Sequence, residues 1–401
     1  MTGVSRILRL VPAFLLITGF YEVRGEQSGP VSFKVDLRAD ITDNRDSDTR
    51  EESNLDFYVE PRADFSLRGG PFAGNIFYAP AYRYRTDPSA TQNESQLFHD
   101  LGVKLSRAVN QNLQFKLDEH FSYTDDPSVQ EGGTTLRRDS SFVLNRAQLD
   151  AIYKVSRRLT MKVDGAHRIK RYDDDERALE SDEDSLSGGL SLWGHPRRKV
   201  RLTALVRGGD YNYDSSQGIE RGFVSLMGAL GLDRAVSRNS LASVQAGMTA
   251  LNYADSSLGT EGAPFVSLSL ETETGRKTSI SAFGKYELRD SDVYPFASQA
   301  NASAGVGVDW KVGRSLSFGA SGKYSLGRYE EDYAPASAPD SAYSQGVKSG
   351  DEKTITASVR AAYRFSRRNS LKLTQRLEDV DSDVDVSFTR NDTVLAFSTE
   401  F

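Results

Sequence analysis

VSFKVDLRADI (residues 31–41) and LDFYVEPRADFSL (residues 55–67) alternate apolar and polar side chains. In the first stretch, the odd positions from Val31 to Ile41 are apolar and the even positions from Ser32 to Asp40 are polar. A period of two is typical of a β-strand whose two faces meet different environments. Strands of soluble sandwiches are usually about five or six residues long, whereas a tilted strand needs roughly ten to cross a bilayer. Both stretches therefore indicate membrane-spanning strands.

The segments between such runs are of two kinds. Eight are short and mostly basic, and they lie near Gly69, Arg107, Arg157, Arg197, Arg238, Arg276, Arg314 and Arg367. The others are long and acidic or polar, for example TDNRDSDTREESN (residues 42–54), YDDDERALESDEDS (residues 172–185) and residues 327–352. Short periplasmic turns and longer extracellular loops are typical of an outer-membrane barrel. We expect an all-β, single transmembrane antiparallel β-barrel of about 18 strands, within a range of roughly 16 to 20.

The amino terminus indicates secretion. Arg6 and Arg9 form a basic start, the apolar run LRLVPAFLLITGF (residues 8–20) includes the second of them, and VRG (residues 23–25) follows. This order predicts a cleaved signal peptide over residues 1–25 and a barrel over residues 26–401. A membrane anchor is the alternative, but the run is shorter than the roughly 20 residues that a spanning helix needs. The chain has no cysteine and a net charge of −6, so neither a disulfide scaffold nor a nucleic-acid partner is indicated.

The chain ends in a further alternating run, TVLAFSTEF (residues 393–401). Leu395, Phe397 and Phe401 share one of its faces. A terminal strand that ends in phenylalanine resembles the signal read by the barrel-assembly machinery. That resemblance makes the machinery an expected partner and these three residues the expected assembly signal.

The last forty residues, AYRFSRRNSLKLTQRLEDVDSDVDVSFTRNDTVLAFSTEF (residues 362–401), combine a strand, an SRR turn, an acidic SDVD loop and a final strand opened by TRN. This order resembles the outer-membrane β-barrel porin family associated with exopolysaccharide biosynthesis and export operons. The resemblance implies a pore that exports a secreted polysaccharide across the Gram-negative outer membrane. Its expected partners are outer-membrane lipid, lipopolysaccharide and a periplasmic polysaccharide-export protein. A general small-solute porin and a loop-plugged structural or adhesive barrel remain alternatives.

Charged residues at the polar positions of the strands are candidates for the lumen wall. Mixed charges there favour a hydrated channel whose selectivity depends on field and width. A wall of cross-strand ion pairs without a transport role is the alternative. The candidates are Lys34, Asp36, Arg38, Asp40, Asp56, Glu60, Arg62, Asp64, Lys116, Asp118, His120, Arg146, Asp150, Arg360, Arg364, Lys372, Arg376 and Glu378.

Aromatic residues near strand ends are expected to form interfacial girdles. Rings that faced the lumen could instead stack on sugar faces. The residues considered are Tyr78, Tyr82, Tyr84, Tyr123, Tyr153, Trp193, Tyr286, Trp310, Tyr324, Tyr363 and Phe365.

The sequence offers no convincing metal or catalytic motif. The acidic runs at residues 173–176 and at Asp381, Asp383 and Asp385 lack the remaining ligands of a calcium loop, so a solvated acidic rim is expected. His99 and Asp100 point to opposite faces, and His120 shares a face with Asp118 without a nucleophile beside it. We therefore expect no enzyme activity and no cofactor.

Overall fold

The computed structural model describes residues 31–401 except 48, 50–51, 89–92, 127–139, 175–177, 179–181, 198, 214–221, 257, 276, 292–295 and 333–348. The predicted signal peptide over residues 1–25 lies outside the described residues. Among the residues described, no helix is long and apolar enough to cross a bilayer.

The described chain forms eighteen strands of 12–17 residues, as the turns and loops predict. They are β1 (Val31–Thr42), β2 (Asn54–Gly69), β3 (Phe72–Arg85), β4 (Ser95–Ala108), β5 (Leu113–Thr124), β6 (Phe142–Lys154), β7 (Leu159–Tyr172), β8 (Glu183–Arg197), β9 (Val200–Tyr213), β10 (Gly222–Ala235), β11 (Ser240–Tyr253), β12 (Thr260–Thr274), β13 (Thr278–Asp290), β14 (Phe296–Val312), β15 (Leu316–Asp332), β16 (Gly350–Arg364), β17 (Asn369–Ser382) and β18 (Phe388–Glu400). Each strand pairs with its neighbours in sequence, and β18 pairs with β1. The predicted antiparallel barrel is therefore confirmed.

The two faces of the wall have the polarity expected of a protein in lipid. Leu230 on β10 and Phe33 on β1 are 71% and 54% exposed on the outer face. Asp164 on β7 is only 6% exposed on the inner face. Because hydrocarbon surrounds the barrel, these outer apolar side chains are the ones in contact with lipid.

The barrel closes along a seam between the first and last strands. Leu37 lies opposite Phe397, and Ala39 lies opposite Leu395. The amide of Phe401 donates a hydrogen bond of 2.8 Å to the carbonyl of Phe33. The terminal run thus completes the sheet and leaves no free edge within the membrane.

The repeated SR-type turns have a local explanation. The hydroxyl of Ser156 accepts hydrogen bonds from the amides of Arg158 and Leu159, at 3.2 and 3.1 Å. Ser366 accepts in the same way from Arg368 and Asn369. A serine that caps two amides after it favours a tight turn, which explains why similar letters recur at one end of the barrel.

Close packing between strands generates a prediction at Gly247 on β11. A Cβ added there would lie 2.0 Å from the carbonyl oxygen of Gly228 on β10. Gly247→Ala should therefore lower the free energy of unfolding by about 1–3 kcal/mol, measured by urea titration of the refolded barrel in detergent. Gly228→Ala is the control, because nothing lies within 4 Å of its added Cβ. Equal losses for both variants would contradict this packing.

The seam generates a second prediction, about assembly. Phe401→Ser should reduce the amount of barrel inserted into the outer membrane, because the terminal residue is the expected recognition element. Phe365→Ser is the matched control, since Phe365 is also exposed and its ring stacks on that of Phe397, with centroids 6.1 Å apart. Heat-modifiable mobility of membrane fractions measures the folded amount. Similar losses for both variants would point to lost lipid contact rather than terminal recognition.

Candidate functional site

The lumen is the candidate site, and the strand registers place the predicted lumen candidates on one shared face of the sheet. On each strand, these charged residues alternate with the residues that face lipid. They come from six strands: β1, β2, β5, β6, β16 and β17. Since β16 and β17 adjoin the seam through β18, the six strands lie within one arc of the wall.

Most of these charges form ion pairs. Several pairs join residues two apart on one strand, such as Lys34–Asp36 at 2.7 Å and Arg62–Asp64 at 2.8 Å. Others cross between strands: Arg38 contacts Glu60 at 3.3 Å. The side chains of Lys34 and Arg62 remain 43% and 34% exposed. Ion pairing and a hydrated wall therefore coexist, and both interpretations of the charged wall stay open.

Tyr58 and Phe77 are inward-facing aromatic residues that are not among those considered from the sequence. The guanidinium of Arg38 lies 3.8 Å from the ring centroid of Tyr58, its direct neighbour across β1 and β2. Arg62 lies 4.0 Å from the ring centroid of Phe77. Arginine over a ring face is an attractive cation–π geometry. The signal was present in the sequence, because Tyr58 stands between Asp56 and Glu60 at a polar position of its strand.

Trp310 and Trp193, two of the expected girdle residues, lie on opposite faces of the barrel wall. Trp310 is 49% exposed and packs against Phe318 on the outer face, at 6.1 Å between ring centroids. The girdle interpretation is wrong for Trp193, which lies on the inner face of β8. The guanidinium of Arg201 on β9 lies 5.9 Å from the Trp193 ring centroid, and Arg201 pairs at 2.5 Å with the inward Asp233.

Residues 43–47, in the loop after β1, fold against the inner wall of the extracellular mouth. The guanidinium of Arg390 on β18 is 1% exposed and donates to the Glu378 carboxylate and the Ser47 hydroxyl. Arg45 pairs with Asp56 at 2.5 Å. Buried charges of this kind are tolerated only when they are paired and hydrogen-bonded. The segment is thereby held inside the mouth.

A second cluster narrows the same end from another side. Phe223, Leu251 and Tyr253 form a buried apolar cluster with Leu288 and Ala297 at the tips of β13 and β14. The pairing of β12 with β13 ends at Val266 and Tyr286, before those tips. The sequence did not predict this cluster, because its contacts join strands that are not neighbours in the sheet.

The wall formed by β10–β15 has a different chemistry from the charged arc. Its inner face is rich in glycines and short hydroxyl side chains, which stand among charged and apolar residues. Ser321 and Ser358 share a hydrogen bond of 2.9 Å at its border with β16. The inward serines along this wall are Ser225, Ser243, Ser267, Ser269, Ser279, Ser281, Ser303, Ser317, Ser321 and Ser325. We call this surface the hydroxyl wall.

Three of the histidines contact partners on neighbouring strands. His120 pairs with Asp100 at 2.5 Å rather than with Asp118, which pairs with Lys104 at 3.2 Å. His120 and Asp118 share a face, as the sequence predicts, but the β4–β5 register brings Asp100 within reach of His120 along a diagonal.

On the outer face, His99 hydrogen-bonds the Tyr78 hydroxyl at 2.8 Å, and His167 pairs with Asp184 at 3.0 Å. Both pairs bridge neighbouring strands on the surface that meets lipid. His99 and His167 stand at apolar positions of their alternating strands, and these contacts agree with that placement.

The described part of the acidic loops forms ordinary turn contacts. Asp385 accepts a hydrogen bond from the amide of Val386 at 2.7 Å, and Asp383 accepts from the amide of Asp351 at 3.4 Å. The described residues contain no group of three or more side chains able to hold a metal ion. Asp175 and Glu176, in the other acidic run, lie outside the described residues.

Three solved porins of Pseudomonas aeruginosa share the fold. OccK2 (OpdF) has a TM-score of 0.51 and 13% identity, covering 92% of this chain and 98% of that chain. OpdK, solved with vanillate, has a TM-score of 0.51 and 11% identity, covering 92% and 99%. OccK9 (OpdG) has a TM-score of 0.50 and 12% identity, covering 92% and 98%. Identities this low show the fold alone.

No curated protein matches the chain in sequence. Residues 211–401 match the family model described as "Putative beta-barrel porin 2". The match begins well before the last forty residues and confirms the predicted resemblance to a β-barrel porin family. The protein therefore has the fold of a Gram-negative outer-membrane β-barrel porin, and its residues 211–401 match the family model described as "Putative beta-barrel porin 2".

Proposed function

We propose that the barrel is an outer-membrane conduit through which a secreted polysaccharide leaves the cell. The observation that carries the proposal is the hydroxyl wall facing the charged arc across the lumen. Serine hydroxyls both donate and accept hydrogen bonds, so they can replace the water bound to sugar hydroxyls without holding one unit tightly. A polymer needs such weak, repeated contacts, because conduction requires sites that release what they bind.

The inward aromatic rings support the same proposal. Tyr58, Phe77 and Trp193 lie on the inner wall beside arginine side chains. Each of these aromatic rings offers a flat apolar surface with polar groups beside it. Such a surface can stack on the face of a sugar ring. Together with the hydroxyl wall, these rings would provide a series of shallow contacts along the pore.

A small-solute porin is the second candidate, and the narrowed extracellular mouth favours it. Residues 43–47 and the cluster around Phe223 both occupy the mouth, which would restrict the passage to small molecules. OpdK, which shares the fold, was solved with the small aromatic molecule vanillate. Planar-bilayer recordings separate the two candidates, because a polymer conduit must also admit oligosaccharides of several units.

The hydroxyl wall generates a prediction about passage. Ser269→Trp should lower single-channel conductance and reduce surface polysaccharide, because the indole would project into the lumen from β12. Leu268→Trp is the matched control on the same strand, since Leu268 is 49% exposed on the lipid face. Conductance in planar bilayers and surface polysaccharide on cells are both measured. Unchanged values for Ser269→Trp would contradict a transport role for this wall.

The proposal also predicts a cellular phenotype. Deleting the gene should abolish surface polysaccharide while its precursor accumulates in the periplasm. Expression of the Leu268→Trp variant should restore export, whereas the Ser269→Trp variant should not. Normal surface polysaccharide in the deletion strain would refute the proposed export function.

A further inference from the structure

The periplasmic mouth carries positive charges that the barrel itself does not neutralise. Six basic side chains face the lumen near the periplasmic ends of their strands, are exposed, and make no ion pair within the described chain. They are Arg68, Lys116, Lys154, Lys311, Arg364 and Lys372. We call them the vestibule cations.

The vestibule cations lie on one continuous arc of the wall. Their strands run from β14 through the β18–β1 seam to β6. Arg68 and Lys116 line a single cavity of about 570 Å³ together with Lys104. Two of the vestibule cations thus share one concave surface, and the other four lie on the same arc.

Carboxylates along this arc are already paired with other basic residues. Asp118 contacts Lys104 at 3.2 Å, and Asp150 contacts Lys162 at 3.2 Å. Lys116 lies directly opposite Asp150 on the neighbouring strand, yet that carboxylate is bound to Lys162. The side chain of Lys116 is therefore left for a partner from outside the chain.

Similar pairing occurs on other strands of the arc, where Asp309 is bound by Arg360 and Asp36 by Lys34. Near the periplasmic ends of the described strands of the arc, Glu400 is the inward carboxylate side chain that forms no ion pair. Glu271 and Glu273, which are also unpaired, belong to β12 and lie outside the arc. The vestibule cations therefore produce a net positive field on this side of the mouth.

The short turns at the same end add to that field. None of the eight turn segments between paired strands contains an aspartate or glutamate, and residues such as Arg157, Arg314 and Arg367 recur in them. A basic rim can bind lipid phosphates, but the vestibule cations point into the lumen, away from the membrane. Rings of basic side chains are the usual means by which pores select anions.

From these observations we infer that the periplasmic mouth recognises a polyanion, so that the exported polymer is an acidic polysaccharide bearing carboxylate, sulfate or phosphate groups. The inference rests on the proposed export function and specifies its substrate class. The unpaired cations attract the chain and raise its concentration at the entrance. The hydroxyl wall then contacts the sugar units farther along.

The test measures how charged and neutral oligosaccharides enter the pore from the side of the short turns. Oligogalacturonates and maltodextrins of equal length are the probes, added separately to single channels in planar bilayers. The wild-type barrel should bind the acidic probe about tenfold or more tightly than the neutral one, a difference of about 1.4 kcal/mol or more. The preference should weaken as salt is raised, because the contacts are exposed to solvent.

A triple variant, Lys116→Gln, Arg364→Gln and Lys372→Gln, tests the residues themselves. It should lose the preference for the acidic probe while its affinity for maltodextrin is unchanged. Its reversal potential in a potassium chloride gradient should also shift towards cation selectivity. The matched control is Arg157→Gln, Arg314→Gln and Arg367→Gln, which removes the same charge from the turns and should retain the preference.

The outcomes separate this inference from the proposed function. Equal binding of acidic and neutral probes by the wild-type barrel would overturn the inference while leaving polysaccharide export intact. Failure of both probes to enter would overturn the proposed function. Loss of export in the control variant of the turns, but not in the vestibule variant, would overturn the inference as well. The positive charges needed for export would then be those of the turns, which would bind lipid phosphates or an acidic periplasmic protein.

Discussion

Backbone amide and carbonyl groups find no hydrogen-bond partners in hydrocarbon, so a sheet in a bilayer must pair every strand on both edges. This constraint explains the closed order of the eighteen strands and the pairing of β1 with β18. It also explains why β18 stays paired along its length, with the amide of Phe401 still donating to the carbonyl of Phe33. The other features of the molecule depend on this closed wall.

The closed wall separates lipid outside from the polar lumen inside, and each side chain of a strand faces one of these two environments. Apolar residues such as Leu230 and Phe33 stand exposed on the outside, where lipid replaces water. Charged residues collect inside, where most find partners at short range, such as Arg45 with Asp56. Ion pairs of the exposed kind contribute little to stability. The fully buried Arg390–Glu378 pair matters more, because a lone buried charge would be costly.

Side chains of different kinds are distributed unevenly around the lumen, and the proposed function depends on this difference. One arc holds arginines beside aromatic rings, and the facing wall holds short hydroxyl side chains. The extracellular mouth is narrowed by residues 43–47 and by the cluster around Phe223. The periplasmic mouth is open to solvent at residues such as Lys116 and Lys372. The two ends of the pore therefore offer different surfaces to a passing molecule.

The sequence by itself determined the class of fold, the number of strands and which residues of a strand share a face. A period of two forces alternate side chains to opposite faces, so Lys34 and Phe33 had to separate whatever the rest of the chain did. Serine-capped turns, as at Ser156 and Ser366, likewise depend on adjacent residues and can be predicted from the sequence. These properties depend only on residues near one another along the chain.

Contacts across the lumen and between neighbouring strands were decided only by the tertiary structure. The contact of Arg390 with Ser47 joins residues 343 positions apart, and the choice of Asp100 over Asp118 by His120 depends on a diagonal between strands. Trp193 was misplaced because its aromatic character suggested lipid, while its register puts it beside Arg201. Local patterning fixes which face a side chain takes, but register and loop folding fix which partner it meets.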